Sequence, residues 1–307
     1  MFLVRVIAFF LIALVSAFLT GCEYVGENPS RNLQDIFTNA VESFDEAWGL
    51  DSEQGTGDLE SIVAVPPMSA SAQEEVIARS APKLTDESRA LQAVLIESAE
   101  AAEANFDYKL ATMHYSRLVD MDPGDIASVL GFARNLRYIG NSKAAVLLLK
   151  KALSSLPKHV DLRIQLVKAQ IASGFLEEAA GQTDYLLQTA PAEWEVYALE
   201  GVILDHHGKF LAAQTAYGKA LSISPNNITV LNNMSLSLAQ NGKLDLAISL
   251  LQNLVQSEYS TPQVRQNLAL FHALNGDLQS AEKLAREDLP PGVVSDNLSS
   301  FRLLQEK

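Results

Sequence analysis

Among the 307 residues, the side chains able to do chemistry are one thiol, five histidines and the acidic groups that set a formal charge of −14. Cys22 is the only cysteine, so no internal disulfide can form, and a solitary thiol serves as a nucleophile or as a point of modification. His206 and His207 are neighbours, and neighbours on a helix point about 100° apart, too far to grip one metal ion from one face. Standing just before Gly208, they read as a polar helix end, where a histidine can interact with the last carbonyls. His114, His159 and His272 lie far apart in the sequence, without the H-x3-H spacing of a metal site. No P-loop, G-x-S-x-G or H-E-x-x-H motif occurs. The sequence therefore calls for no cofactor and no metal, and it reads as non-enzymatic. Its acidity speaks against nucleic-acid binding through a general basic field.

What remains is the thiol, and its place explains its use. The leader "MFLVRVIAFFLIALVSAFLT" carries one cation, Arg5, followed by an apolar or small-residue run from Val6 to Phe18. That run has the length of a signal-peptide core and falls short of the ~20 residues that span a bilayer comfortably. Leu19-Thr20-Gly21-Cys22 follows and resembles the bacterial lipobox. The resemblance implies that Cys22 takes a diacylglycerol on its sulfur, that residues 1–21 are removed, and that the new amine is acylated. Two acyl chains hold a protein stably on a membrane, at about 0.8 kcal/mol per buried methylene. Removal of 1–21 takes away Arg5 alone and makes the chain one unit more negative than −14. The residue after the cysteine is Glu23, not the Asp that retains such proteins at the inner membrane, so the expected location is the outer membrane, facing the periplasm.

Residues 22–84 form a tether. "VGENPS", "DSEQGTGDLES" and "VAVPPMSASAQ" are rich in Ser, Gly, Pro and acids and have little to bury. One island, about 33–48, is amphipathic. Leu33, Ile36, Phe37, Ala40, Val41, Phe44 and Trp48 fall on one face at helical spacing, and Gly49 supplies a stop. Phe37, Phe44 and Trp48 could dock on the folded body or on a partner protein. A membrane surface suits them less, because the other face holds Asp35, Glu42, Asp45 and Glu46 where such helices prefer Lys and Arg.

The folded body, 85–307, repeats. Phe106, Gly140, Gly174, Gly208, Gly242 and Gly276 are 34 residues apart, and each is followed five residues on by Ala: 111, 145, 179, 213, 247 and 281. Pro123, Pro157, Pro191 and Pro225 keep the same period. This is the tetratricopeptide pattern, a helix–turn–helix unit. Its physics follows from the residues: Gly, or Asn105 in the first repeat, leaves the first helix in a left-handed turn. The alanines lie where two helices cross, facing a second small residue at Ala99, Ala133, Gly201, Ser235 and Ala269, with Val167 the exception. The prolines end the second helix. The expected fold is all-α, a right-handed superhelical solenoid of six repeats, 92–125, 126–159, 160–193, 194–227, 228–261 and 262–295. A capping helix is expected at 296–307, with Ser295 or Asp296 as N-cap and Leu298, Phe301, Leu303 and Leu304 as its apolar residues.

"VRQNLAL" at 264–270, "DLPP" at 288–291 and "NN-x-S-x-SLA" around Asn232 make residues 126–304 resemble the TadD family, the repeat-containing lipoproteins of tight-adherence (Flp/Tad) pilus loci. The resemblance implies a role in assembling the pilus secretion apparatus, as a pilotin-like helper of its outer-membrane secretin. A general type IV pilus or secretion pilotin, a scaffold for cell-envelope enzymes and a chaperone of pilin segments remain alternatives. Glu200 and Arg163 depart from the repeat pattern, standing where an apolar and a large residue are preferred. In such arrays the first helix of each pair lines the binding groove. The candidate partner-binding residues there are Arg134, Arg137, Tyr138, Gln165 and Lys168, then Glu195 and Asp205, then Asn232, Asn233, Gln266 and Asn267. The arginines would fork onto a carboxylate of an acidic or C-terminal peptide, and the amides would bond an extended backbone.

Overall fold

The computed structural model describes residues 85–258 and 260–305. Cys22, the leader, the tether and the 33–48 helix therefore lie outside the described residues. Thirteen helices and no strand occur among the described ones. They are α1 (Asp86–Ala104), α2 (Tyr108–Met121), α3 (Ile126–Tyr138), α4 (Ser142–Ser155), α5 (Val160–Ala172), α6 (Leu176–Thr189) and α7 (Trp194–His206). There follow α8 (Phe210–Ile223), α9 (Ile228–Gln240), α10 (Leu244–Val255), α11 (Pro262–Leu274), α12 (Leu278–Asp288) and α13 (Pro291–Gln305). The chain divides into two compact units at residues 165 and 166, inside α5.

The local chemistry that starts and stops these helices repeats with the sequence. Side-chain oxygens of Thr85, Asp107, Asp125, Asn227, Thr261 and Asp277 accept from the backbone N–H three residues on, satisfying donors that a helix start leaves orphaned. Between the helices of a pair the chain turns through positive φ, from 69° at Gly208 to 87° at Gly276. In the first repeat the left-handed residue is Phe106, at φ 60°, and not Asn105, which stays at −95° as the C-cap. Asp107 N–H reaches Ala102 O at 2.9 Å and Phe106 N–H reaches Glu103 O at 3.0 Å. That double bond pattern needs the residue after the cap to turn, so Phe106 takes a strain of roughly 1–2 kcal/mol. Pro123, Pro157, Pro191 and Pro225 each stand two residues past a helix end.

In the first unit α1 packs on α2, α2 on α3 and α3 on α4. Its core gathers Leu95, Ala99, Ala102, Ala111, Tyr115 and Leu118. In the second unit each helix from α6 to α12 packs on the next, and α13 lies on α11 and α12. Leu251, Phe271, Leu268, Val294, Leu298 and Phe301 share one core there. The crossing alanines 111, 145, 179, 213, 247 and 281 are all buried, as are Ala99, Ala133, Val167, Ser235 and Ala269.

The final helix begins at Pro291, earlier than the expected start at Ser295 or Asp296. Proline is tolerated in a first turn, whose N–H groups have no intrahelical partner, and its fixed φ suits a helix start. The paired prolines thus end one helix and open the next. Val294, Leu298 and Phe301, spaced i, i+4, i+7, are its buried stripe.

Candidate protein-binding face

In the first unit the polar centre is Glu103, at the end of α1. Its Oε1 accepts from Arg134 Nε at 3.2 Å and Nη2 at 2.8 Å, and its Oε2 from Nη2 at 3.0 Å. Asn135 Nδ2 donates to the same carboxylate and to Gly131 O, and the Tyr115 hydroxyl lies 3.5 Å from Oε2. Burial and then the Glu103 charge raise the pKa of Tyr115. Burial opposes the charge on Arg134, but the hydrogen bond and charge of Glu103 outweigh it and raise its pKa.

The two arginines expected to act together are not equivalent. Arg134 keeps 38% of its side chain exposed, whereas Arg137 is only 8% exposed. Arg137 donates from Nη2 to Gln165 Oε1 at 3.3 Å and lies 5.6 Å over the Tyr138 ring. Tyr138 in turn packs on Tyr108, with ring centroids 4.6 Å apart. Arg137 is thus built into the packing, while Arg134, Glu103, Tyr138 and Gln165 are half-buried around it.

The second unit repeats the theme. Lys168 Nζ meets Glu195 Oε1 at 2.6 Å, so this partly exposed cation is paired with an acid from the neighbouring first helix. Asn267 Nδ2 donates to Asn232 Oδ1 at 2.8 Å, and both are buried, so these amides serve each other. Asn233 is half-buried. Gln266 Nε2 donates to Asp288 Oδ2 at 3.1 Å. Arg265 donates to both oxygens of Asp288, with Nε at 2.9 Å from Oδ2, and from Nη1 to Ser260 Oγ at 3.0 Å. The Arg265 hydrogen bond holds the Asp288 carboxyl below its ordinary pKa, against the effect of burial. Gln266 and Asn267 also edge a cleft of about 70 Å³ walled by Leu270, Val294, Leu298 and Phe301.

Asp205 is the second polar centre. The Tyr217 hydroxyl donates to its Oδ2 at 2.8 Å and the Ser237 hydroxyl to its Oδ1 at 2.6 Å. Burial pushes its pKa up to about 6, with the two hydroxyls pulling the other way. Glu103 and Asp205 occupy the same repeat position, three periods apart. Each meets a tyrosine twelve residues on and a polar residue thirty-two residues on. The tyrosines were missed in the sequence, although the acid–tyrosine spacing of twelve, recurring in register, was a readable signal. Burial, then His207, lowers the pKa of His206, so it adds no charge to the helix end at neutral pH. Among the described residues no cluster of His, Cys, Asp and Glu could hold a metal ion.

The helix pairs, their 34-residue register and their left-handed turns build a tetratricopeptide-repeat fold. The sequence profile of the tetratricopeptide repeat matches residues 232–293. The chain is 36% identical over 110 residues to the uncharacterized protein y4yS of Sinorhizobium fredii, a stretch that covers 36% of this chain and 60% of that protein. Among solved structures it is similar to TTC0263, a thermophilic tetratricopeptide protein of Thermus thermophilus, at 20% identity and a TM-score of 0.52, covering 58% of this chain and 98% of that one. It is also similar to a tetratricopeptide repeat protein of Parabacteroides merdae, at 15% identity and a TM-score of 0.52, covering 70% of this chain and 87% of that one. At these identities the structures speak to the fold alone.

Proposed function

We propose that this chain is a lipid-anchored tetratricopeptide scaffold of the bacterial envelope that serves assembly of the tight-adherence (Flp/Tad) pilus apparatus by engaging its outer-membrane secretin. The pilus reading rests on the resemblance of "VRQNLAL" and "DLPP" to the TadD family; Arg265 and Gln266 of the first segment bond Asp288 of the second. The anchor is Cys22, acylated behind its leader. Residues 23–84 join Cys22 to the body. Each unit offers its own partly exposed ion pair on its first helices, Arg134–Glu103 in the first and Lys168–Glu195 in the second, that a complementary charged segment can re-pair.

The test is fractionation and capture with Cys22→Ser. Wild type is expected in the outer-membrane fraction with the secretin among its cross-linked partners. The variant is expected soluble in the periplasm with unchanged helicity, because acylation acts only at the anchor. Equal membrane retention of the two proteins contradicts the anchor. Capture of cell-wall enzymes without secretin contradicts the pilus reading and favours an envelope-enzyme scaffold.

A further inference from the structure

The third position of each repeat holds a small or aliphatic residue: Val94, Ser128, Leu162, Val196, Val230 and Val264, at the 34-residue period. The last five are each at most 2% exposed, whereas Val94 is 58% exposed. In α3 the helix that covers this face is α2, the second helix of the preceding repeat; Tyr115 packs so tightly on Gly131 that an added Cβ would lie 2.4 Å from its ring. One period earlier, the residues matching Ser128, Gly131 and Asn135 are Val94, Glu97 and Ala101, and all three are exposed on α1, beside Leu91 at 43%. The face that every later first helix buries is thus uncovered on α1, the first described helix.

We infer that residues 33–48 of the same chain fold back as a helix onto this face of α1 and act as its missing second helix. Three observations select this occupant. The segment carries its own one-sided apolar stripe, and its Ala40-x3-Phe44-x2-Ala47 repeats the pattern by which second helices pack: Ala111-x3-Tyr115-x2-Leu118 and Ala213-x3-Tyr217-x2-Ala220. The chain between it and α1, residues 49–84, extends at most about 3.3–3.6 Å per residue, a reach of roughly 120 Å against the ~8–10 Å between packed helix axes. Closing a loop of that length costs only logarithmically more than a short one. At the other end α13 shows the same solution: a helix of the chain's own buries Val294, Leu298 and Phe301 against the last repeat. An end left open would expose its apolar face, and repeat arrays need covered ends.

The test uses the full chain in membranes, with Ala40→Cys and Val94→Cys added and Cys22 native. Both substitutions are small, and Val94 is exposed in the described structure, so folding is not at stake. Mild oxidation is expected to give a 40–94 disulfide within single chains, mapped on proteolytic peptides. Its yield should be at least about tenfold that of an Ala40→Cys, Glu100→Cys control, whose second thiol stands about 120° round α1 from Val94, as expected for a raised local concentration. Equal yields overturn the inference, and so do 94–94 links between chains, which would assign the face to a second copy. As an independent reading, Trp48 becomes the sole tryptophan in a Trp194→Phe background. Val94→Glu should then shift its emission to the red, and an unchanged spectrum also overturns the inference.

Discussion

Gly201→Ala is expected to lower the melting midpoint by about 5–10 °C, the effect of roughly 3 kcal/mol in a body of this size. The cause is steric. A Cβ at Gly201 would sit 2.5 Å from Cε1 and 2.7 Å from Cζ of Tyr217. Tyr217 is among the most fully buried side chains of the second unit, and its hydroxyl is tied to Asp205 at 2.8 Å. The ring therefore has no free direction in which to yield, and the cost falls on the backbone of α7 or α8. Removing the ring should remove the conflict: Gly201→Ala with Tyr217→Leu is expected to be less destabilised than the sum of the single changes. Thermal unfolding of the four proteins of that cycle measures the coupling. An unchanged midpoint in Gly201→Ala would mean that α7 and α8 do not cross there.

Asp205→Asn should stabilise the protein at pH 8 by up to about 3 kcal/mol and change little near pH 4. Asp205 has a folded pKa of about 6 against 3.8 for the free side chain, and each unit corresponds to about 1.4 kcal/mol. The raised value means that the folded protein holds this proton more tightly than the unfolded chain does. The stability it contributes is therefore complete below pH 4 and is lost as the pH rises through 6. Asparagine keeps an oxygen to accept one hydroxyl, presents its amide to the other, and never ionises. Chemical denaturation of both proteins at pH 4 and pH 8 checks the sign. A variant less stable than wild type at pH 8 would show that the charged carboxylate is what Tyr217 and Ser237 hold.

Most of the fold was legible because packing repeats: the small residues at helix crossings and the turning glycines recur every 34 residues, and burial at those positions is enforced by geometry. The errors fell where local chemistry breaks the period. Asn105 has the composition of a left-handed turn, yet the double bond pattern closing α1 places Phe106 there. The capping helix was expected to start at Ser295 or Asp296, but Pro291 is the first residue of α13. The binding face was the least legible part. Candidate positions follow from the repeat, whereas their pairing follows from which helices lie side by side. Nothing near Arg134 in the sequence names Glu103, thirty-one residues earlier, as its partner. Arg137 was singled out for its charge, but its burial against Tyr138 and Gln165 makes it a packing residue.

The burial of Arg137 decides how the binding face should be tested. Reversing its charge would disturb the core, so the informative change exchanges the exposed pair instead: Glu103→Arg with Arg134→Glu. The exchange keeps an ion pair between α1 and α3 while Asn135 loses its bond to Glu103 and keeps the one to Gly131 O, so thermal unfolding of the exchanged protein is recorded beside capture to separate folding from binding. What a partner meets is inverted. Cross-linked capture of the secretin from membranes at physiological salt, compared between wild type and the exchanged protein, is the direct measurement. A loss of capture of about tenfold or more, the scale of a charge-assisted contact turned repulsive, is the expected result. Undiminished capture by the exchanged protein would contradict the assignment of this face as the protein-binding surface.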